Sequence, residues 1–289
     1  MKKHSAPNLT INAPAKLNLY LKVVGRRPDG YHLLRTLMVK LSLADRVELT
    51  IGGGGVRLDV RGADLPSGPD NLAVRAAEAF YREIGEPPAV HIDLRKNIPL
   101  SAGLGGGSTD AASVLTGLNK LYNVPISESR LSEIGLTLGA DVPFFVFPGN
   151  SAWAEGVGER LSPGPDLSGN CFLLVYPGFG VSTAEVYKKY KLELTSPHQS
   201  HIFSGLNERS FTIGPDLHND LEMVVLPEKP ELGRIKALLR SAGAIGSLMS
   251  GSGATVFGAF STMRDMEYAR VRLEKESRGL WTVMPTHAL

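Results

Sequence analysis

The chain has 289 residues, with 31 Lys and Arg against 29 Asp and Glu. The net charge of +2 gives no electrostatic surplus for holding nucleic acid or an anionic membrane at large, while a local basic pocket for phosphate stays compatible with it. Hydrophobic residues at 43% and charged residues at 21% exclude a disordered chain, a collagen-like repeat and a coiled coil. At about 150 residues per domain the length corresponds to two domains. The one cysteine, Cys171, lies in the apolar run 171–176, which rules out an intrachain disulfide and fits an inert thiol in a reducing compartment. No apolar stretch approaches the roughly 18 residues that span a bilayer, and the first residues lead into no hydrophobic signal core, so the expected location is the cytoplasm.

From residue 11 to 23 the odd positions are apolar (Ile11, Ala13, Ala15, Leu17, Leu19, Leu21, Val23), while the even ones include Lys16 and Asn18. This alternation predicts a half-buried strand whose other face presents Lys16 and Asn18 side by side, away from the core. Pro28, Asp29 and Gly30 make a turn, beyond which stand Tyr31 and His32, and a second strand follows at 33–43. The glycines at 52–55 separate the alternating runs 47–51 and 56–60, which predicts a hairpin. Asp70-Asn71 ahead of Leu72, Val74, Ala76, Ala77, Phe80 and Tyr81 predicts a capped amphipathic helix ended by Gly85, and residues 90–94 alternate as another strand. The glycine-rich stretch 99–109 then opens a helix over 110–122, and a further helix over 127–138 stops at Gly139. Asp141 precedes the apolar run 142–147.

A boundary near 150–165 divides the chain into a domain of residues 1–160 and one of 161–289. The second holds a strand at Cys171, a polar loop over 195–212, a helix over 230–241 and a strand near Ile245. A second glycine loop at 250–253, a short strand over 255–260, a charged helix to about residue 277 and a closing strand at Leu280 complete it. Strands outnumber crossover helices and mostly alternate. The expected fold is therefore α+β, with mixed or antiparallel sheets and helices on one face, rather than a doubly wound parallel sheet.

The strongest chemical signal is the run Pro99, Leu100, Ser101, Ala102, Gly103, Leu104, Gly105, Gly106, Gly107, Ser108 and Thr109. Glycines let backbone N–H groups approach an anion closely, and the helix that follows adds its positive end, so the run predicts a phosphate cradle. No Lys-Ser/Thr closes it as in a Walker A loop, and Ser108 stands where a dinucleotide fingerprint needs its last glycine. A plain surface loop is the alternative, disfavoured by three consecutive glycines at a helix start. Gly251 and Gly253 taken alone read as a turn between two strands.

Asp141 buried and ionised would need a cation such as Lys16; taken alone it also fits a helix cap or a solvated carboxylate, and Lys16 the wet face of a strand. His198 and His201 are three apart in a polar loop without a third ligand, so they read as surface residues rather than zinc ligands. The helix over 264–278 mixes acids and bases as a solvated face does. There is no Gly-x-Ser-x-Gly elbow and no His-Glu-x-x-His, which argues against a serine hydrolase or a zinc protease.

Four motifs occur in order: Pro14-Ala15-Lys16-Leu17-Asn18-Leu19, the stretch 99–112, Gly139-Ala140-Asp141-Val142-Pro143-Phe144, and Ser250-Gly251-Ser252-Gly253-Ala254-Thr255. Together, over nearly the whole chain, they resemble the GHMP superfamily of small-molecule kinases. The runs from Arg27 to His32 and from Gly139 to Phe145 resemble most the members whose acceptor carries a cytidine diphosphate.

The resemblance implies a two-domain GHMP-kinase fold and ATP-dependent phosphorylation of a tertiary 2-hydroxyl on a route to isoprenoid precursors, with ATP and Mg²⁺ as cofactors. It assigns Asp141 as catalytic base with Lys16 as its partner, and residues 99–109 as the wrapping around the ATP phosphates. It places Asn71 and Lys96 on the adenine side, and Ser250, Gly251, Ser252, Gly253 and Ala254 near the acceptor. Tyr31 and Tyr187 would stack on the cytosine and His32 read its edge, with Asn18 and Thr183 nearby. Thr109 stands where the family pattern has Ser, and Tyr187 where some relatives have Phe; the hydroxyl and the aromatic face are kept.

The Mg²⁺ ligands and the oligomeric state stay open. The partners implied are small molecules, with neither nucleic acid nor membrane among them. A homoserine, mevalonate or sugar kinase of the same superfamily, and a nucleotide-binding regulator without turnover, are the competing readings.

Overall fold

The computed structural model describes residues 7–123, 125–190 and 211–289. The loop expected over 195–212, with His198 and His201, lies outside the described residues up to residue 210. The described chain divides into two compact units. One is built from residues up to Ala15, Leu43–Leu100 and Gly105–Pro148, the other from Lys16–Ser42, Ser101–Leu104 and Gly149–Leu289.

The first unit takes the start of β1 (Asn8–Arg26) and the end of β2 (His32–Ile51), then β3 (Gly55–Arg61), α1 (Leu72–Ile84), β4 (Ala89–Arg95), α2 (Gly106–Tyr122), α3 (Glu128–Leu138) and α4 (Val142–Val146). α1 forms as its sequence predicts. The Asn71 carboxamide oxygen accepts from the Ala73 amide, and Gly85, at φ +70°, donates its amide to the Tyr81 carbonyl. The face so fixed buries Ala73, Val74, Ala76, Ala77, Phe80 and Tyr81. It joins Leu49, Ile92 and Leu94 of the strands and Val114, Leu115 and Leu118 of α2 in one apolar core. Losing a buried ring such as Phe80 from a core of this kind costs about 3–5 kcal/mol.

The expected hairpin between 47–51 and 56–60 does not form. β2 pairs antiparallel with β4 from Arg46↔Arg95 to Ile51↔Val90, and β3 pairs parallel with β4 from Gly55↔Ala89 to Arg61↔Arg95, so β4 lies between the two runs. The glycines do turn the chain, but the amides of Gly52 and Gly55 donate to the carbonyls of Ala89 (2.9 Å) and Pro88 (2.8 Å). β3, α1 and β4 thus make a parallel crossover, which alternation alone does not distinguish from a hairpin. A second difference lies at α2, which starts at Gly106 rather than at 110. The first turn of a helix tolerates glycine because its amides lack intrahelical partners in any case.

The second unit begins with the rest of β1 and the start of β2. It continues through β5 (Ser151–Gly156), β6 (Arg160–Pro163), β7 (Cys171–Tyr176), α5 (Thr183–Lys189), β8 (His218–Asn219), α6 (Glu222–Glu228), α7 (Pro230–Ser241), β9 (Gly246–Met249), β10 (Val256–Phe260), α8 (Met263–Ser277) and β11 (Thr282–His287). β5 pairs with β2 from Leu34↔Gly156 to Val39↔Ser151 and then with β6, so the segment around the expected boundary carries regular structure. Among the described residues β11, β7, β10 and β9, in that order, form an antiparallel sheet.

β7 is central in that sheet and its residues 171–175 are buried on both faces, which accounts for an unbroken apolar run and for the buried Cys171 thiol. Leu173, Val175, Val256 and Phe260 pack with Leu232, Ile235 and Leu239 of α7 and Leu273 of α8. The closing strand begins at Thr282, two residues after the exposed Leu280. Among the described residues no helix is long and apolar enough to cross a membrane.

Candidate active site

In the second unit Lys16 and Asn18 share one face of β1, two residues apart, as alternation requires. The alternative reading of Lys16 as a wet strand residue does not hold: Lys16 and Asn18 are each 4% exposed. The segment 101–104 accounts for part of that cover, because the Lys16 amide donates to the Leu104 carbonyl at 3.0 Å. The glycine turn between β9 and β10 adds to it, with the Ser250 hydroxyl 3.4 Å from the Asn18 amide. Lys16 Nζ donates to Asn18 Oδ1, and Asn18 Nδ2 donates to Thr36 Oγ1 at 2.9 Å.

The two glycine segments meet backbone to backbone. Ser250 Oγ donates to the Gly103 carbonyl at 3.0 Å, and the Thr255 amide donates to the Ala102 carbonyl at 3.2 Å. Gly103 sits at φ +76°, and a Cβ there would meet the carbonyl oxygens of Ser250 and Gly253, the latter at 2.8 Å. Only glycine fits that approach. Gly251 and Gly253, at φ +56° and +90°, form the turn between strands that their spacing suggests. Two residues without a sequence signal support the turn: Asn219 Nδ2 donates to the carbonyls of Met249 and Gly251, both at 2.8 Å, and Glu222 accepts the Met249 amide at 2.8 Å. The hydroxyls of Thr183 and Ser252 are 2.7 Å apart.

Of the residues expected around the cytosine, His32 and Tyr187 lie against each other in this unit. The rings of His32 and Tyr187 stack with centroids 5.3 Å apart and planes at 29°. Tyr190 meets His32 edge-on at 6.0 Å. Tyr31 is 64% exposed. Burial, reinforced by the Arg26 charge, lowers the His32 pKa and favours the neutral ring. Tyr190, whose hydroxyl donates to Asp220 at 3.3 Å, had no sequence signal. Asp220 also accepts from the Val23 amide and from His218. Burial pushes the Asp220 carboxyl up, but these donors outweigh it and hold it below the ordinary value.

In the first unit Gly105, at φ +72°, occupies the cap position of α2 without a side-chain cap. No side chain of the cap residue takes the amides that open the helix, and the positive end of the helix dipole favours an anion there. Residues 106–109 belong to the first helical turn rather than to the loop, and Thr109 Oγ1 is buried with no hydrogen-bond partner. Lys96 Nζ donates to Asp45 and, at 2.6 Å, to Asp110. Asp45 also takes the amides of Asn97 (2.6 Å) and Ile98 (2.9 Å). Burial raises the Asp110 carboxyl to about 7 against the pull of the Lys96 ammonium.

The side chains of Lys96 and Asn71, which the resemblance puts on the adenine side, thus have structural engagements of their own. Asn71 caps α1 and donates to the Pro66 carbonyl at 2.9 Å. Asp141 stands at the cap position of α4, partly exposed, and makes no capping hydrogen bond, so the simple cap reading does not describe it. Among the described residues no group of three or more His, Cys, Asp or Glu is gathered for a metal ion.

These features agree with the comparisons. Residues 71–149 match the family model described as GHMP kinases N terminal domain, and residues 206–276 the one described as GHMP kinases C terminal. The chain is a small-molecule kinase of the GHMP class. The 4-diphosphocytidyl-2-C-methyl-D-erythritol kinase of Syntrophus aciditrophicus (strain SB) is 48% identical over 277 residues, 95% of this chain and 97% of that protein. The enzyme of the same name from Geobacter sulfurreducens is 45% identical over 91% of this chain and 95% of its own. A crystal structure of 4-(cytidine 5'-diphospho)-2C-methyl-D-erythritol kinase aligns with a TM-score of 0.78 at 36% identity, covering 97% of this chain and 99% of that one. This chain belongs to the 4-diphosphocytidyl-2-C-methyl-D-erythritol kinase family.

Proposed function

We propose that the chain transfers the terminal phosphoryl group of ATP to the 2-hydroxyl of 4-diphosphocytidyl-2-C-methyl-D-erythritol, in the cytoplasm, as a step of the non-mevalonate route to isoprenoid precursors. The observation that carries this reading is identity of 48% to a kinase of that name over nearly the full length of both chains. Residues 1–160 supply most of the nucleotide side and the base, and residues 161–289 complete the acceptor side.

Phosphoryl transfer asks the protein to hold nucleophile and phosphorus in line and to neutralise charge on the equatorial oxygens. In this reading the amides at the start of α2 and the glycines before it take the phosphates. The substrate hydroxyl oxygen bonds to the γ-phosphorus, the bond from that phosphorus to the ADP oxygen breaks, and Asp141 takes the hydroxyl proton. Lys16 steadies the negative charge that develops on the acceptor oxygen. The pyrimidine is held between Tyr31 and Tyr187, with His32 neutral and able both to donate to and accept from its edge.

A Mg²⁺ ion bound with the nucleotide would need few oxygens from the protein. The Thr109 hydroxyl, buried and without a partner, fits that need, with Ser108 beside it in sequence. When bound, the ion supplies positive charge to the phosphates.

ADP release measured with the cytidine diphosphate substrate, homoserine, mevalonate and a sugar tests the reading. Release confined to the first supports it, and release confined to any of the others overturns it.

A further inference from the structure

We infer that Thr36 is a positioning residue for the reaction, acting through Asn18 on the Lys16 ammonium; the inference rests on the role proposed for Lys16. Thr36 lies on β2 and is 3% exposed, with no motif to mark it. Its hydroxyl donates to the Tyr20 carbonyl at 2.6 Å and accepts from Asn18 Nδ2 at 2.9 Å. The far side of the same carboxamide, Asn18 Oδ1, accepts from Lys16 Nζ.

The direction of every bond in this relay is dictated by chemistry. A peptide carbonyl only accepts, so the single Thr36 proton is committed to Tyr20 and the hydroxyl oxygen can only receive from Asn18. The Asn18 nitrogen must then face Thr36, which turns Oδ1 toward an ammonium that only donates. A flipped carboxamide would set an oxygen against the Thr36 lone pairs and an NH₂ group against Lys16. With Asn18 and Thr36 both removed from water, each reversed contact would go uncompensated. Thr36 thereby makes the Asn18 oxygen a fixed acceptor for Lys16, restricting where the charged nitrogen can go. Neighbouring Asn18 is further held by its amide's contact with Ser250 Oγ, so the backbone and the carboxamide of one residue are set by different partners.

The test is a cycle of Thr36→Val, Thr36→Ser, Asn18→Ala and the double variant Asn18→Ala/Thr36→Val. Val keeps the shape but removes the hydroxyl; Ser restores it. The expected result is a fall in kcat of about tenfold or more in Thr36→Val, since small displacements of a reacting group cost this much or more. The KM for ATP stays within about twofold, Thr36→Ser recovers most of the loss, and Val at position 36 costs little more once Asn18 is Ala.

Equal losses from Thr36→Val with and without Asn18 would overturn the inference, as would a Ser variant as poor as Val. A second readout does not depend on turnover. The Asn18 side-chain NH₂ signals in a ¹⁵N–¹H spectrum, identified by their loss in Asn18→Ala, should move and exchange faster with water in Thr36→Val and return in Thr36→Ser. Unchanged Asn18 signals in Thr36→Val refute the relay even if the acceptor substrate proves to be a different alcohol.

Discussion

Lys96 holds Asp110 across 2.6 Å, with both side chains almost wholly shut off from solvent. The same ammonium also pairs with Asp45, so the residue that follows β4 ties the first turns of α2 to β2. Replacing the lysine by an apolar residue leaves the Asp45 carboxylate and the Asp110 carboxyl buried without their cation. Lys96→Met should therefore lose about 3–5 kcal/mol of stability, the cost of breaking a buried ion pair from one side. Urea unfolding measures it, and a midpoint equal to that of the parent would show that the cluster holds nothing together.

The same cluster has a pH signature. Burial keeps the proton on Asp110 up to about 7, whereas the unfolded chain releases it near the ordinary 3.8. Between about pH 4 and about pH 7 the folded state binds the extra proton, so this group's contribution to stability falls as pH rises through that window. Asp110→Asn carries no such proton. The stability of the parent minus that of Asp110→Asn should decline across the window, by no more than about 1.4 kcal/mol per pH unit. A difference that rises with pH would mean that Lys96 outweighs burial and holds Asp110 ionised.

Gly103→Ala addresses the meeting of the two glycine segments. A methyl group at φ +76° is strained, and it would press on the carbonyl oxygens of Ser250 and Gly253. Backbone strain of this kind costs about 1–3 kcal/mol, and relief requires residues 101–104 to move away from the turn that joins β9 and β10. Both the melting temperature and kcat/KM should fall. Parent-like values for both would show that the approach of these backbones is not required.

Asp141→Asn keeps the shape of the side chain and removes its capacity to take a proton. Turnover should drop by two or more orders of magnitude, about the contribution of a general base, while ATP affinity changes little. Rapid-quench measurement of the chemical step together with nucleotide titration separates the two, and a near-normal kcat would remove Asp141 from the mechanism.

What sequence reveals here depends on how local each signal is. The ends of α1 were legible because Asn71 and Gly85 act within one turn of their own positions. Gly103 was legible as a glycine that something approaches, although the approaching group, Ser250, lies 147 residues away. Alternation over 47–60 does not reveal the pairing, because it is the same whether a strand's neighbour is its hairpin partner or a strand arriving after a helix, as β4 does. Asp45 and Asp110 gave no sign of their roles, since the first lies 51 residues from Lys96 and nothing in sequence pairs them. Lys16 and Asn18 were placed on the correct face of β1, but their burial comes in part from residues 101–104 and 250–254, which no local pattern anticipates. Thr36 was invisible for the same reason: a threonine in a strand is ordinary until its hydroxyl is seen between Tyr20 and Asn18.

The most direct test is mass spectrometry of the purified chain's products after incubation with ATP, Mg²⁺ and 4-diphosphocytidyl-2-C-methyl-D-erythritol. The expected product is an acceptor heavier by one phosphoryl group, with fragment ions that place it on the 2-hydroxyl and an equal amount of ADP. An unmodified acceptor alongside phosphorylated homoserine, mevalonate or sugar in parallel reactions would contradict it.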